Sequence, residues 1–327
     1  MKIAALKSYK CINCGNANLT HEDAQVESVN QEIVSGQLKC RNCFASYPVR
    51  GGIPIFVFEE NYANSFGYQW NIHRKTQLDS NIGLPISRNR LFGITRWPEN
   101  MEGEVILEAG SGAGRFTEVL LGTGAEIFSF DFSSAVEANW ANNGHCSNLN
   151  LFQGDIFKIP LRRSFFDKVI CLGVIQHTPD PEGAFQNLAQ FVRSEGELVI
   201  DVYKKHLVSL LQWKYLLRPV TKRMDKKRLY KIVSSLVPLV LPLLIFLRRT
   251  FGRLGARLLP IVEYSNLELP KELNKEWAIL DTFDMYSPAH DHPQSLNTVK
   301  RWFDEAGFVD VVVKDGPNGV VGKGRKP

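Results

Sequence analysis

The stretch Val105-Ile-Leu-Glu-Ala-Gly-Ser-Gly-Ala-Gly114 joins an apolar strand to a glycine loop, and Arg115 to Leu121 continues it as a helix. Gly110, Gly112 and Gly114 allow a tight turn and the close approach of a ligand, which a Cβ would block. The helix start behind them offers unpaired N–H groups to that ligand. This order of elements predicts the first unit of a nucleotide-type pocket in a parallel α/β sheet.

The residues around this unit alternate between strand and helix patterns. We predict apolar strands over 104–109, 126–131, 149–153, 167–172 and 196–202. Helices are predicted to start near Arg115, Ser134 and Pro181. Apolar strands that alternate with helices indicate a parallel sheet covered by helices on its faces.

Polar residues after these strands indicate which ligand the pocket holds. Asp131 ends the second strand about 20 residues beyond the glycine loop, where an acid accepts hydrogen bonds from ribose hydroxyls. NAD and S-adenosyl-L-methionine (SAM) sites share that acid. Gly154-Asp-Ile156 follows the third strand, where Asp155 can receive an adenine amino group and Ile156 can face the ring. The segment Phe166–Asp180 then gives a strand that ends in a polar loop, and Glu195–Ile200 turns tightly into a fifth strand.

These five ordered motifs resemble those of the class I SAM-dependent methyltransferases, particularly the small-molecule branch that includes quinone-biosynthesis enzymes. The resemblance covers residues 104–202. It implies an α/β fold with a Rossmann-like, seven-stranded sheet whose last strand is antiparallel. It also implies an enzyme whose cofactor is SAM.

The resemblance further implies a role for individual residues of the cofactor site. The amino-acid part of SAM would be cradled by Glu108, Gly110, Gly112 and Gly114. Asp131 would hold the ribose, with Phe132 beside the adenine. The remaining contacts would come from Asp155 and Ile156 at the adenine, and from Leu172 and Gly173 on the floor near the sulfonium.

Residues 1–58 contain two Cys-x-x-Cys knuckles, which supply Cys11, Cys14, Cys40 and Cys43. Two such pairs complete a tetrahedral Zn²⁺ site, and a unit this small needs a metal clamp because it buries little apolar core. Two disulfides or free cysteines are the alternative. Met1–Lys10 has no signal-peptide pattern, which favours the cytoplasm and zinc. The unit resembles small zinc-ribbon proteins that partner or precede methyltransferases, and that resemblance implies a structural role.

Residues 59–100 are predicted to link the ribbon to the main domain, which begins at residue 101. The aromatic run Phe66-Gly-Tyr-Gln-Trp70 fits a lid over the cofactor. It fits equally well the packing of a linker against the domain surface.

Residues 203–262 are predicted to be an insertion with fourteen Lys and Arg against one acid, Asp225. It carries a net charge of +13 while the rest of the chain carries −8, so the body is acidic. Ile232–Leu247 has no charge, is shorter than a bilayer span, and contains Pro238 and Pro242, which interrupt helical hydrogen bonding. Such a segment suits the membrane interface, a buried dimer helix or a cap over the active site. A cap for a lipid-linked substrate would combine the membrane interpretation with the cap.

Three histidines are candidates for removing the acceptor's proton, because the pKa of histidine lies near neutrality. His177 follows the fourth strand at the cofactor end of the sheet; the alternative is that it only shapes the pocket. His290 and His292 flank Asp291. Alternate residues of an extended segment face opposite ways, so only one of the two would enter the site, and His290 is favoured over His292. A structural loop is the alternative there. The last part, 263–327, also predicts a helix over Ser295–Ala306, a strand over Phe308–Val313 and a mobile tail over 316–327.

A hydrophobic content of 44% and a charged content of 22% indicate a globular protein. The sequence therefore predicts a cytoplasmic SAM-dependent methyltransferase, peripheral to the inner face of the membrane. Its acceptor would be a small, lipid-linked or sugar-linked molecule, methylated on oxygen or nitrogen by in-line transfer. An RNA or protein methyltransferase is one alternative, although the uncharged run tracks phosphates poorly and disfavours nucleic acid. A non-catalytic SAM-binding scaffold is another.

Overall fold

The computed structural model describes residues 1–27, 31–57, 61–205 and 213–327. A 3-10 helix at Ile3–Ser8 leads into an antiparallel sheet with the strand order β1-β2-β3-β4. Its strands are β1 Leu19–Glu27, β2 Glu32–Cys40, β3 Ser46–Arg50 and β4 Ile53–Pro54. The apolar run Ile53–Phe58 of the sequence predicts a strand, of which the structure forms only Ile53–Pro54, and Phe58 lies outside the described residues.

Three helices follow the ribbon: α1 Asn64–Ile72, α2 Asp79–Ile82 and α3 Ile86–Thr95. The main sheet then has the order β10-β11-β9-β8-β5-β6-β7. Its strands are β5 Val105–Ala109, β6 Glu126–Asp131, β7 Leu149–Gln153, β8 Phe166–Leu172, β9 Val192–Val202, β10 Val309–Gly316 and β11 Gly319–Arg325. Strands β5 to β9 are parallel, and β11 is antiparallel to both of its neighbours. The predicted seven-stranded sheet with an antiparallel last strand is confirmed.

Helices cover this sheet at α4 Arg115–Leu121, α5 Ala135–Asn143, α6 Pro181–Ala189 and α10 Leu296–Glu305. The strand order reverses beside β5, since β6 lies on one side of it and β8 on the other. In parallel α/β sheets, ligands bind beyond the carboxyl ends of the strands at such a switch point. The glycine loop after β5 therefore opens into the position where a ligand is expected.

The prediction of a mobile tail over 316–327 is wrong, because β11 fills the gap between β9 and β10. Val320 and Val321 are fully buried in it. A Cβ on Gly322 or Gly324 would come within 2.6 and 2.7 Å of the Phe303 ring. These glycines make room for a helix residue to pack on the strand, whereas the sequence alone suggests flexibility.

The helical part of the predicted insertion is longer than expected. It comprises α7 Trp213–Thr221 and α8 Lys226–Gly255, which continues through Pro238 and Pro242 and kinks at Gly252, where φ is 59°. The inner face of α8 packs in one apolar cluster with α9 Lys271–Tyr286, which compensates for the hydrogen bonds that the prolines remove. Residues 206–212 of the predicted insertion lie outside the described residues. Asp281–Tyr286 is the end of α9, a helix that the sequence analysis did not predict.

The ribbon is docked on the free edge of β7 and shares the core of the main sheet. Tyr9 is 1% exposed, stacks on Phe56 at 5.6 Å between ring centroids and meets Phe152 edge-on at 5.6 Å. The amide of Phe56 donates to the carbonyl of Gln153 at 2.9 Å. Folding of the ribbon therefore contributes to the stability of the main domain.

Candidate active site

A cavity of about 1050 Å³ opens at the carboxyl ends of the parallel strands. Its walls come from the glycine loop, the ends of β6 and β8, helices α1, α7 and α9, and the turn between β10 and β11. Pockets for one small ligand usually measure about 300–1,000 Å³. The cavity therefore has room for a nucleotide-like cofactor and a second molecule.

The glycine loop adopts a backbone that side chains would disrupt. Gly110 and Gly112 have φ values of 81° and 53° and line the cavity. A Cβ on Gly110 would come within 2.2 Å of Val174, and one on Gly112 within 3.2 Å of Trp70 Nε1. Gly114 precedes α4 with a φ of 91°. The glycines thus let the loop pack closely against Val174 and Trp70 at the cavity wall.

Asp131 presents a carboxylate to the cavity next to the glycine loop. Its Oδ2 accepts a hydrogen bond from the amide of Gly112 at 3.0 Å, and its Oδ1 accepts one from the amide of Ser133 at 2.9 Å. Burial raises the pKa of this carboxyl above its ordinary value, while these donors oppose the shift. The carboxylate is held rigidly where ribose hydroxyls would donate to it.

Helix α1 lies across the glycine loop. Phe66 and Trp70 line the cavity, and the Trp70 indole stands above Gly112. The close packing depends on Gly67, where a Cβ would come within 2.4 Å of Ser134 Oγ. Phe66 and Trp70 of the aromatic run therefore form part of the cavity wall, whereas Tyr68 packs on Tyr230 and Phe283.

The structure brings together most, but not all, of the residues predicted for the cofactor. Among the described residues, the cavity wall includes Gly110, Gly112, Asp131, Phe132, Ile156, Leu172 and Gly173, and it excludes Glu108, Gly114 and Asp155. The Glu108 carboxylate accepts hydrogen bonds from Thr117 and Ser129, and burial raises its pKa to about 7. Asp155 Oδ1 accepts a hydrogen bond from the amide of Phe157 at 2.9 Å. Behind the cavity wall, Glu108 ties α4 to β6 and Asp155 holds its own turn.

Arg115 is a cavity residue that the sequence analysis did not single out. It is largely buried, and desolvation together with the charge of Arg90 lowers its pKa to about 10. Its hydrogen bonds go to the neutral side chains of Ser87 and Gln77. Within the described chain, no carboxylate lies at ion-pair distance from it. A buried cation of this kind fits the carboxylate of a ligand such as the amino-acid part of SAM.

Two carboxylates on α9, Asp281 and Asp284, also line the cavity and were missed. Tyr264 donates a hydrogen bond to Asp281, whose pKa burial raises to about 6. Gln69 donates to Asp284 Oδ1 at 3.2 Å. The available signal was their three-residue spacing, which places them on one face of a helix. No helix was predicted from the sequence over these residues.

His177 is buried and lines the cavity near these carboxylates. Its Nδ1 lies 3.0 Å from the backbone carbonyl oxygen of His290. Because a carbonyl only accepts, Nδ1 carries the proton and Nε2 of the neutral ring is left with a free lone pair. Burial lowers the pKa of His177 below its ordinary value and favours this neutral form. The ring is held edge-on to Tyr203 at 5.3 Å.

The other two candidate histidines occupy different positions. Among the described residues, the cavity wall includes neither His290 nor His292. Their rings stack on each other at 5.8 Å, and His292 is exposed. Asp291 between them is ion-paired with Lys214 at 2.8 Å and Arg218 at 3.3 Å. This segment therefore orients His177 and anchors α7.

The four knuckle cysteines converge at the end of the ribbon, and their sulfur atoms all lie within 4.8 Å of one another. Cys11 and Cys43 are 3.5 Å apart, and Cys14 and Cys40 are 3.6 Å apart. Those distances exceed a disulfide bond of about 2.05 Å. They are close to the spacing of about 3.8 Å that four sulfurs have around a tetrahedral zinc. The cluster fits a Zn²⁺ site.

Residues 107–200 match the family model described as a methyltransferase domain. A ubiquinone biosynthesis O-methyltransferase of Coxiella burnetii is 26% identical over 113 residues, which cover 34% of this chain and 48% of that protein. Another, from Alkalilimnicola ehrlichii, is 29% identical over 140 residues, or 41% of this chain and 57% of that protein. The chain thus spans about half the length of the curated relatives it matches.

Among solved structures, Haemonchus contortus phosphoethanolamine N-methyltransferase 2 in complex with SAM is similar with a TM-score of 0.45 and 14% identity. The match covers 83% of this chain and 48% of that one. The strand order and the cavity define a Rossmann-like domain with a site for a nucleotide-type cofactor. Together with the family match, they identify a class I SAM-dependent methyltransferase domain in this chain, and SAM is its cofactor.

Proposed function

We propose that this protein transfers a methyl group from SAM to an oxygen or nitrogen of a small acceptor that is linked to a lipid or a sugar. One observation carries the proposal: a single cavity joins the glycine loop and Asp131 to the side lined by Tyr264, Asp281 and Asp284, which we call the second chamber. His177 lines the same cavity with Nε2 unprotonated. SAM supplies an electrophilic methyl group on its sulfonium. Gly110, Gly112 and Asp131 would hold it, and Arg115 would bind its carboxylate.

The protein's own contribution is to orient the acceptor and to accept its proton. His177 Nε2 would take the proton from the acceptor's O–H or N–H, because the Nδ1 proton is committed to the carbonyl of His290. Tyr203 fixes the ring, and helix α1 with Trp70 limits the access of water. Such positioning accounts for much of the rate of an in-line transfer.

The second chamber supports a polar, hydroxylated acceptor. Asp281, Asp284 and Tyr264 offer hydrogen-bonding groups there, beside the buried Trp277. The curated relatives are named for ubiquinone biosynthesis, which supports a small molecule over a polymer. Helix α7 closes the chamber with Lys214 and Arg218, and its outer face is apolar. We therefore place the protein in the cytoplasm, peripheral to the inner face of the membrane, with a lipid-linked acceptor.

We assign the Cys11, Cys14, Cys40 and Cys43 cluster a structural Zn²⁺. The support is the convergence of four sulfurs and the shared core between the ribbon and β7. The ribbon lies at the sheet edge, and among the described residues none of the four cysteines lines the cavity.

Incubation of the protein with methyl-labelled SAM and fractionated host extract tests the function. We expect label in the lipid or soluble small-molecule fraction, and we expect alkali or phosphatase treatment to release a labelled small molecule. Label in RNA or protein would favour the polymer alternative and contradict the proposal. SAM binding without any labelled product would favour the scaffold.

A further inference from the structure

Helix α7 has its polar side turned inward and its apolar side turned outward. Trp213, Leu216, Leu217 and Val220, spaced as one helical stripe, are 40%, 62%, 37% and 67% exposed. On the opposite side, Lys214 and Arg218 point into the protein toward Asp291. A helix that faces water normally has the reverse arrangement. The outer face of α7 therefore fits a non-aqueous partner.

Helix α8 extends this apolar surface. Its inner residues Leu229, Val233, Val237, Leu241 and Leu244 are buried against α9. Its outer residues Ile232, Leu236, Leu239, Leu243 and Phe246 form a second stripe that is between 42% and 79% exposed. The Trp213 indole donates a hydrogen bond to the carbonyl of Leu258, an exposed leucine just after α8, at 3.2 Å. Exposed apolar stripes of this extent mark an interaction surface.

The charges around the patch identify the partner. Lys222, Arg223, Lys227, Arg228 and Lys231 are exposed at the amino-terminal end of α8. Arg249 and Arg257 are exposed beyond its apolar run. Basic side chains that border an apolar helix face match the anionic headgroups and acyl chains of a lipid bilayer. We infer that α7 and α8 dock this protein on an anionic membrane, with both apolar stripes in the lipid interface.

The packing of α8 favours docking parallel to the membrane over crossing it. Among the described helices, α8 alone is long and apolar enough to span a membrane by length and composition, and 28% of its most apolar window is buried. However, the uncharged run 232–247 is only about 24 Å long, whereas a hydrocarbon core is about 30 Å thick. The inner face of α8 is also held by α9, which carries Glu272, Lys275 and Asp281. A spanning α8 would have to leave α9 or draw these charges into lipid.

The docking surface lies on the reverse side of the cavity wall. The inward side chains of α7, Lys214, Tyr215 and Arg218, line the cavity, as do Val262 and Glu263 just after α8. Docking through the outer faces therefore brings the second chamber to the level of the headgroups, where a lipid-linked acceptor presents its polar part. Delivery of a lipid-linked acceptor to the cavity rests on the proposed function, but the docking itself does not.

Vesicle flotation of the full chain tests the docking without turnover. We expect binding to phosphatidylcholine vesicles that contain phosphatidylglycerol, and weaker binding to phosphatidylcholine alone or at high salt. The variant L239S/L243S/F246S should lose about tenfold or more of its vesicle affinity. The variant K227E/R228E/K231E should lose the preference for anionic vesicles. The control V309S/V312S, which alters exposed valines on β10, should bind like the wild type.

Retained SAM affinity and zinc content verify that each variant is folded. A folded wild type that floats with neither vesicle type overturns the inference. A second result also overturns it: the wild type is a dimer that does not bind vesicles, and L239S/L243S/F246S is a monomer. A second copy of the chain would then cover the patch. Resistance to carbonate extraction would show a spanning helix and also contradict the inference. Methyl transfer to detergent-extracted acceptor is measured separately, so failure of docking and failure of the proposed function are distinguishable.

Discussion

Asp131 shows how far single residues could be predicted. Its distance from the glycine loop and its place at a strand end were enough to predict its position in the cavity. Arg115, Asp281 and Asp284 were missed, because they reach the cavity from α4 and from a helix 150 residues further on. Local spacing does not encode which distant side chains meet after folding. For His177, the sequence predicted the loop position, whereas its tautomer follows from the carbonyl of His290.

Replacement of Asp131 by alanine should weaken SAM binding. The variant removes an acceptor for the ribose hydroxyls and also releases the amides of Gly112 and Ser133 that the carboxylate holds. Hydrogen bonds to a charged group are worth about 1.5–3 kcal/mol, so we expect a loss of about tenfold to a hundredfold by calorimetry. Asp304→Ala, on an exposed face of α10, is the control. Equal SAM affinities for wild type and Asp131→Ala would contradict the ribose assignment.

Among the elements, those with a clear apolar pattern were predicted and those stabilised by tertiary packing were not. The predicted strands 126–131 and 149–153 and the helix at Arg115 match β6, β7 and α4. Strand β11 was missed because its glycines serve the packing of Phe303. Helix α8 was expected to be interrupted at its prolines, but burial of its inner face on α9 outweighs two lost hydrogen bonds.

The ribbon should hold about one Zn²⁺ per chain, because four thiolates complete a tetrahedral site. Cys40→Ser should lose the metal and lower the melting temperature of the whole protein, since Tyr9 and Phe56 share the core of the main sheet. Cys146→Ser, outside the cluster, is the matched control. Elemental analysis and thermal unfolding measure both effects. Metal-free protein with two disulfides would rule out the zinc site.

At the scale of the whole molecule, three parts meet at one cavity. The parallel sheet supplies the cofactor side, α9 supplies the carboxylates Asp281 and Asp284, and helix α7 closes the wall with α8 packed against α9 behind it. The charge division, +13 in 203–262 against −8 elsewhere, was evident from the sequence. The orientation of these charges could not be predicted from the sequence. Only the structure shows that α7 turns two cations inward and its apolar side outward.

The central claim is that this cavity joins SAM and acceptor around His177, and the His177→Asn variant tests it most directly. Asparagine can still donate to the carbonyl of His290 but lacks the basic Nε2. We expect kcat for labelled product to fall about a hundredfold while the Kd for SAM stays unchanged. The pKa of His177 lies below its ordinary value, so the wild-type rate should persist below pH 6.5 and fall only at lower pH as the ring gains a proton. The rate of His177→Asn should lack this fall at low pH, which is the acid limb of the pH profile.

His290→Asn and His292→Asn serve as controls, because both keep the backbone that orients His177. The decisive measurement is the rate of methyl transfer from labelled SAM at saturating acceptor, compared among these three variants and the wild type across pH. The account predicts that only His177→Asn loses the rate and the acid limb. Wild-type turnover by His177→Asn, or a comparable loss in His290→Asn or His292→Asn, would contradict it.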